Sequence, residues 1–287
     1  MKHSDYPALY QSASALSQRA QSSFYRAFLF YMGLLVIASA ISVINSSSPE
    51  VAILQAMVLL GALGCALFLY LSRPDRNWYA GRAVTESIKT ITWRFISKSE
   101  PFNHSDKVDR HDFGLKLKAI VDQNKGVAGL LTTHLDKLQI TPEMERLRQA
   151  SLIERQDYYR THRIDDQRRW YADKAGANRR LVDRFFWVLF VIIGMAIFFA
   201  VAKVSFPTTS IWPTDFFVTV AAALLSWIQA KRFQELSASY ALAAHEISLI
   251  RQQADNQMND DEFSQFVGDA ESAFSREHTQ WIARRDS

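Results

Sequence analysis

The chain is short of the residues from which most reactive sites are built. It has one cysteine in 287 residues, Cys65, and that one lies inside an apolar run. A disulfide framework or a cysteine metal site within one chain is therefore excluded. No Gly-rich phosphate loop, HExxH or CxxC occurs, which removes the motifs of P-loop hydrolysis, zinc hydrolysis and dithiol chemistry. The seven histidines are scattered and none forms a helical pair on one face. No catalytic residue, metal ligand or cofactor is assigned, and the chain reads as a non-enzyme. No sustained period-two alternation is present, so strands are not expected and the chain reads as all-α. The charge balance is mild, +4, and suits anionic lipid or an anionic ligand without requiring either.

What the chain has instead is long stretches without charge. A helix needs about 20 mainly apolar residues to cross a bilayer. Residues 27–45, 51–71, 185–203 and 213–230 meet that requirement. Lys203 is placed to snorkel at the end of the third run. Asp215 sits in the first turn of the fourth, where it faces water and favours the helix N-terminus. The small residues Ala38-Ser39-Ala40 resemble a signal cleavage site, but a long polar stretch precedes the first run and a second run follows at once, so a retained span is expected. The loops at 46–50 and 204–214 carry no Lys or Arg, whereas Arg26, Arg73, Arg184 and Arg232 flank the other ends. The positive-inside rule then places both termini in the cytoplasm. The expected fold is an all-α membrane protein with four transmembrane helices and long cytoplasmic helical extensions forming a bundle.

Two similar units follow one another. Residues 5–98 and 141–258 each read as polar helix, membrane hairpin and second polar helix, joined by a connector at 99–140 and followed by a helix at 259–287. Leu9, Leu16, Ala20 and Phe24 mark one face before the first span. Thr141, Pro142 and Glu143 start a charged helix that runs toward Phe185, as one uninterrupted rod if nothing breaks it. After the fourth span, Phe233, Leu236, Tyr240, Ala243, Ile247 and Ile250 form a heptad seam, whose partner is either this chain or another subunit. Asn259 and Asp260 cap a last helix carrying Phe263, Phe266, Val267, Phe274 and Trp281.

Two groups of residues are candidate sites. Inside the spans, Ser39, Ser42 and Asn45 recur every three residues, and Ala222 and Ser226 are four apart. They fit a hydroxyl-lined pore, or the close helix packing that small residues permit, which is the reading their spacing favours. Glu50, Lys203 and Asp215 would lie at the outer mouth, either biasing ions or as solvated flanks. The spans carry no central ionisable residue, which argues against ion-coupled transport. On the other side, residues 146–184 hold eleven Lys or Arg against six Asp or Glu, a net of +5. Arg160, Arg163, Arg168, Arg169, Trp170 and Lys174 combine guanidinium forks with an aromatic face, which suits phosphates and bases. Positive-inside flanking with intrahelical ion pairs explains the same residues.

Three stretches carry a resemblance. RAVTESIKTITWRFISKSEPF (82–102) resembles the helix after the membrane hairpin of SLATT domains, and YYRTHRIDDQRRWYADKAGANRR (158–180) resembles the segment before such a hairpin. SREHTQWIARR (275–285) resembles the end of the same architecture. SLATT denotes two-transmembrane effector domains associated with nucleotidyltransferases and nucleotide sensors, and this chain looks like two in tandem. The resemblance implies a pore- or channel-forming effector of a bacterial antiphage system, in the inner membrane. It further implies a homo-oligomer, for which a tetramer is the working number, triggered by a nucleotide or oligonucleotide that a neighbouring nucleotidyltransferase or nucleotide sensor makes or senses. The alternative is a non-conducting membrane-anchored receptor or scaffold for an anionic partner.

Overall fold

The computed structural model describes residues 1–44, 48–206 and 208–283, with side chains of the last helix described as far as Ser275. All regular structure among these residues is helical. After a 3₁₀ turn at His3–Asp5 come α1 (Ala8–Val43), α2 (Pro49–Ser72), α3 (Pro74–Ile96), α4 (Asp106–Gln123), α5 (Lys125–Ala128), α6 (Pro142–Gln149) and α7 (Leu152–Tyr159). One π-helical stretch, Arg160–Asp165, joins α7 to α8 (Asp166–Ser205), and α9 (Thr214–Lys231), α10 (Phe233–Gln253) and α11 (Asp260–Ala283) complete the chain. Four helical stretches, within α1, α2, α8 and α9, are long and apolar enough to cross a membrane.

The chain divides into two compact units that cut across the sequence repeats: residues 1–21, 74–171 and 242–287 form one, and 22–73 and 172–241 the other. The first is polar in composition. Its centre is α3, which packs against α4, α6 and α11. Trp93, Phe95, Ile88 and Val84 of α3 are buried, with Phe102 and Phe113 from the following segments. Phe95 lies 4.7 Å from Phe113 and 5.7 Å from Phe102, ring centre to ring centre. Burying each such side chain stabilises the unit by about 1.5–3 kcal/mol.

Helix α1 meets α3 differently. Its buried face is small and hydroxylic: Ser12, Ala13, Ser17 and Ala20. Of the face that Leu9, Leu16, Ala20 and Phe24 mark in the sequence, Ala20 is buried and Leu9 and Leu16 are only half-buried. The reason lies at Gly81, where a side chain would come within 3.1 Å of the Ser17 nitrogen. Backbones that close leave no room for leucine, and the Ser17 hydroxyl donates to the Trp78 carbonyl at 3.2 Å.

The expected charged rod from Thr141 is broken. Thr141 does cap α6, accepting from the Met144 amide at 3.3 Å. Ala150 then turns extended, and Ser151 caps a new helix by accepting from the Glu154 amide at 3.3 Å. From Leu152 onward the helix runs on to Ser205. The seam of α10 is covered within this chain, since Phe233, Tyr240, Ala243 and Ile247 are all buried. Asn259 and Glu262 form a reciprocal cap at the start of α11, with both bonds at 2.9 Å.

The second unit holds all four spans. Its helices turn Phe30, Phe186 and Phe198 outward, as lipid-facing side chains require. Between helices, Gly61 lets Leu34 approach, and Phe199 stacks on Phe217 at 5.4 Å. Lys231 lies 3.4 Å from the Tyr25 ring centre and 4.8 Å from that of Trp227, a cation–π site.

Candidate functional site

The basic segment 146–184 divides by helical phase. Arg148, Arg155 and Arg163 point into the polar unit and are 1%, 7% and 3% exposed. Each is held by a different structural device. Arg148 donates from Nε to Asp106 at 3.0 Å and from Nη1 to the Phe95 and Phe102 carbonyls at 2.6 and 3.2 Å, and it pairs with buried Asp109. Its guanidinium also lies over Phe95 at 4.6 Å. Arg155 donates to the Ser97 carbonyl at 2.8 Å and to Asp260 at 2.7 Å.

Arg163 stands in the π-helical stretch. Its Nε donates to Glu271 Oε1 at 2.7 Å and its Nη2 to Oε2 at 2.6 Å. Tyr159 donates a third bond to Oε1 at 3.0 Å. The guanidinium faces Phe274 at 4.8 Å and Trp93 at 5.9 Å, and Trp93 donates to the Tyr6 hydroxyl at 2.9 Å. Burial opposes the arginine charge, but the Glu271 carboxylate outweighs it and holds Arg163 protonated above its ordinary range. Burial and the same carboxylate push the Tyr159 phenol up, so it remains a donor. The extra residue of a π-turn rotates the helix locally, and here Tyr159 and Arg163 reach the same acid.

Arg160, Arg168 and Arg169 face outward, and each pairs with the aspartate three positions earlier. Arg169 meets Asp166 at 2.7 Å, Arg168 meets Asp165 at 3.6 Å, and Arg160 meets Asp157. Asp165 is shared with Arg251 at 2.9 Å. Lys174 is exposed and Trp170 is 39% exposed. The six residues expected to form one anionic-ligand face are therefore not brought together: Arg163 is an internal partner of Glu271, and the outward arginines form a surface of alternating charge.

Within the membrane unit, Ser39 donates to the Asp215 carbonyl at 3.3 Å. Ser42 donates to the Ala38 carbonyl at 3.2 Å, and Gln55 donates to the Ser42 hydroxyl at 2.6 Å. Ser226 donates to the Ala222 carbonyl at 2.8 Å. Asn45 lies outside the described residues. Glu50, Lys203 and Asp215 are exposed near the ends of their helices. Among the described residues no cluster of His, Cys, Asp or Glu could hold a metal ion.

Glu271 and Asp109 were not among the expected site residues, although both are wholly buried acids. Glu271 had a readable signal. It interrupts the apolar stripe Phe263, Val267, Phe274 of α11, and a lone carboxylate there demands a cation.

Four apolar spans with a separately packed polar unit define a multi-pass membrane protein. Residues 7–156 match the profile of SMODS and SLOG-associating 2TM effector domain 3, and residues 159–281 match that of SMODS and SLOG-associating 2TM effector domain 1. The first match alone covers more than half of the chain, which belongs to the SLATT family of membrane effectors, with two such domains in tandem. No curated relative and no solved structure matches the chain.

Proposed function

We propose that this protein forms a pore or channel in a bacterial inner membrane as the effector of an antiphage defence system. Both termini lie in the cytoplasm, and a nucleotide or oligonucleotide bound on that side gates the assembly. The chain carries out no catalysis and acts as a homo-oligomer, a tetramer in the simplest case. Its ligand comes from a neighbouring nucleotidyltransferase or is relayed by a nucleotide sensor. The observation that carries this reading is the absence of Asp, Glu, Lys, Arg and His between the flanks of all four spans. Such spans supply a passive path rather than a coupled one. The tandem effector-domain match supports it. The outward arginines Arg160, Arg168 and Arg169, with Trp170, remain open to a polyanion, because exposed ion pairs are worth only about 0–1 kcal/mol and phosphates displace them easily.

The test is ion flux through the purified protein in liposomes, with and without candidate nucleotides. Flux that depends on one of them is expected, and none under any condition would sink the proposal. One observation favours a second reading, a non-conducting receptor or scaffold. Ser39, Ser42 and Ser226 all find acceptors inside this chain, as helix-packing residues do. An assembled oligomer without a central lipid-free gap would decide for that reading.

A further inference from the structure

A cavity of about 340 Å³ opens in the polar unit between α3, the turn after it, α4 and α11. Its walls differ in chemistry. Ile91 and Pro101 supply apolar surface, Arg94, Lys116 and Ser272 supply polar groups, and Thr90, Ser275 and the wholly buried Phe102 complete the lining. Two of the eight lining residues are cationic and none is acidic. The buried arginines of this unit, Arg148, Arg155 and Arg163, are met by carboxylates. Arg94 is different. Its Nη2 donates to the Gly268 carbonyl and the Ser272 hydroxyl, both at 2.8 Å, and its Nη1 donates to the Glu100 carbonyl at 3.4 Å. These acceptors are neutral, and its buried Nε has no partner among the described residues. Lys116 is exposed, and no ion pair forms at it among the described residues.

A buried guanidinium donor without an anion, a second cation and hydroxyls beside an apolar wall make a site for a phosphate carrying an uncharged body. We infer that this cavity binds one small organic phosphate of mononucleotide size. Arg94, Lys116 and Ser272 take the phosphate, and Ile91 and Pro101 take the body. The volume lies at the lower end of the range for small-molecule sites, about 300–1,000 Å³, so a longer oligonucleotide does not fit inside. Binding also bears on the fold. Ser272 adjoins Glu271 on α11, and Arg94 holds α11 through Gly268 and Ser272. An anion that recruits Arg94 competes with that hold and biases how α11 is seated.

The inference shares with the proposed function only the idea of a phosphate signal, and its test does not involve flux. The full-length protein in detergent is titrated with AMP, glycerol 3-phosphate and inorganic phosphate, with heat and melting temperature as readouts. Saturable binding of AMP or glycerol 3-phosphate, tighter than inorganic phosphate, is expected. A preference for AMP identifies a nucleotide, and a preference for glycerol 3-phosphate identifies a lipid headgroup as the source. Lys116→Glu should weaken the preferred ligand at least about tenfold while leaving the ligand-free melting temperature unchanged. Arg94→Gln should do the same, but it also loosens α11, so Lys116→Glu is the deciding variant. No saturable binding at millimolar concentration, or affinity unchanged by Lys116→Glu, overturns the inference. Binding without flux would leave this site standing and remove the channel. Nucleotide-dependent flux from a protein whose AMP and glycerol 3-phosphate affinities are unchanged by Lys116→Glu would do the reverse.

Discussion

Arg73 and Arg232 occupy the same place in the two repeats: each is the left-handed residue that ends the second span of its hairpin. Their φ angles are 39° and 52°. Each backbone amide donates back to the carbonyl four residues earlier, Leu69 at 3.2 Å and Ile228 at 3.0 Å. The next helix begins at once, at Pro74 and at Phe233. A non-glycine residue there costs about 1–2 kcal/mol, and in both repeats that residue is an arginine, whose charge suits the membrane boundary.

The cost is removable at the backbone level. Arg73→Gly should raise stability by up to about 1 kcal/mol, after part of the gain is lost to the greater freedom of glycine in the unfolded chain. Arg73→Val should lower it. Thermal unfolding of the purified protein in detergent ranks the three, and valine melting above glycine would refute the strain.

The Arg163–Glu271 pair makes a sharper case. Glu271→Gln leaves a buried guanidinium without its countercharge and should destabilise the polar unit by about 3–5 kcal/mol. Replacing both partners, as Arg163→Met with Glu271→Leu, should come closer to the parent than either single change. Additive losses in the double variant would show that the pair is not coupled.

Two glycines separate packing from propensity. Gly81→Ala places a methyl 3.1 Å from the Ser17 nitrogen, a backbone atom that cannot swing away. A loss of about 1–3 kcal/mol is expected. Gly114→Ala, in α4, meets open space and should stabilise by about 0.5–1 kcal/mol. Equal effects in a chemical-denaturation series would contradict the close α1–α3 approach.

Protonation near the N-terminus should matter below neutrality. The His3 imidazole is held below its ordinary value, first by partial burial and then by the positive charges of His134 and Lys137. The unfolded chain therefore takes up this proton more readily than the folded one. The contribution is fully present above about pH 6.5 and is lost as pH falls toward the lowered folded value. His3→Gln should flatten stability against pH in that window, and an unchanged slope would count against it.

Topology is open to direct measurement. With Cys65→Ser as background, a cysteine at Thr209 should react with a membrane-impermeant thiol reagent added outside the cell, and one at Ser4 should not. The opposite pattern would place the termini outside.

The four spans were legible in the sequence because crossing a bilayer is a local property: about 20 apolar residues in succession suffice, whatever lies elsewhere in the chain. The caps at Thr141 and Asn259, and the seam of α10, were legible for the same reason, since their signals fall within a few residues of one another. The candidate site was less so. Outward arginines such as Arg169 meet an aspartate three residues away, within reach of sequence reasoning. Arg163 finds its acid 108 residues later and Arg148 finds Asp109 39 residues earlier. A one-residue change of helical phase decides whether an arginine faces water or a buried carboxylate. The sequence by itself determined that this chain is helical, enters the membrane four times and carries a basic segment at one boundary. Only the tertiary structure decided which of those arginines are internal struts and which cations face an acid-free cavity, because burial and pairing depend on residues that only folding brings together.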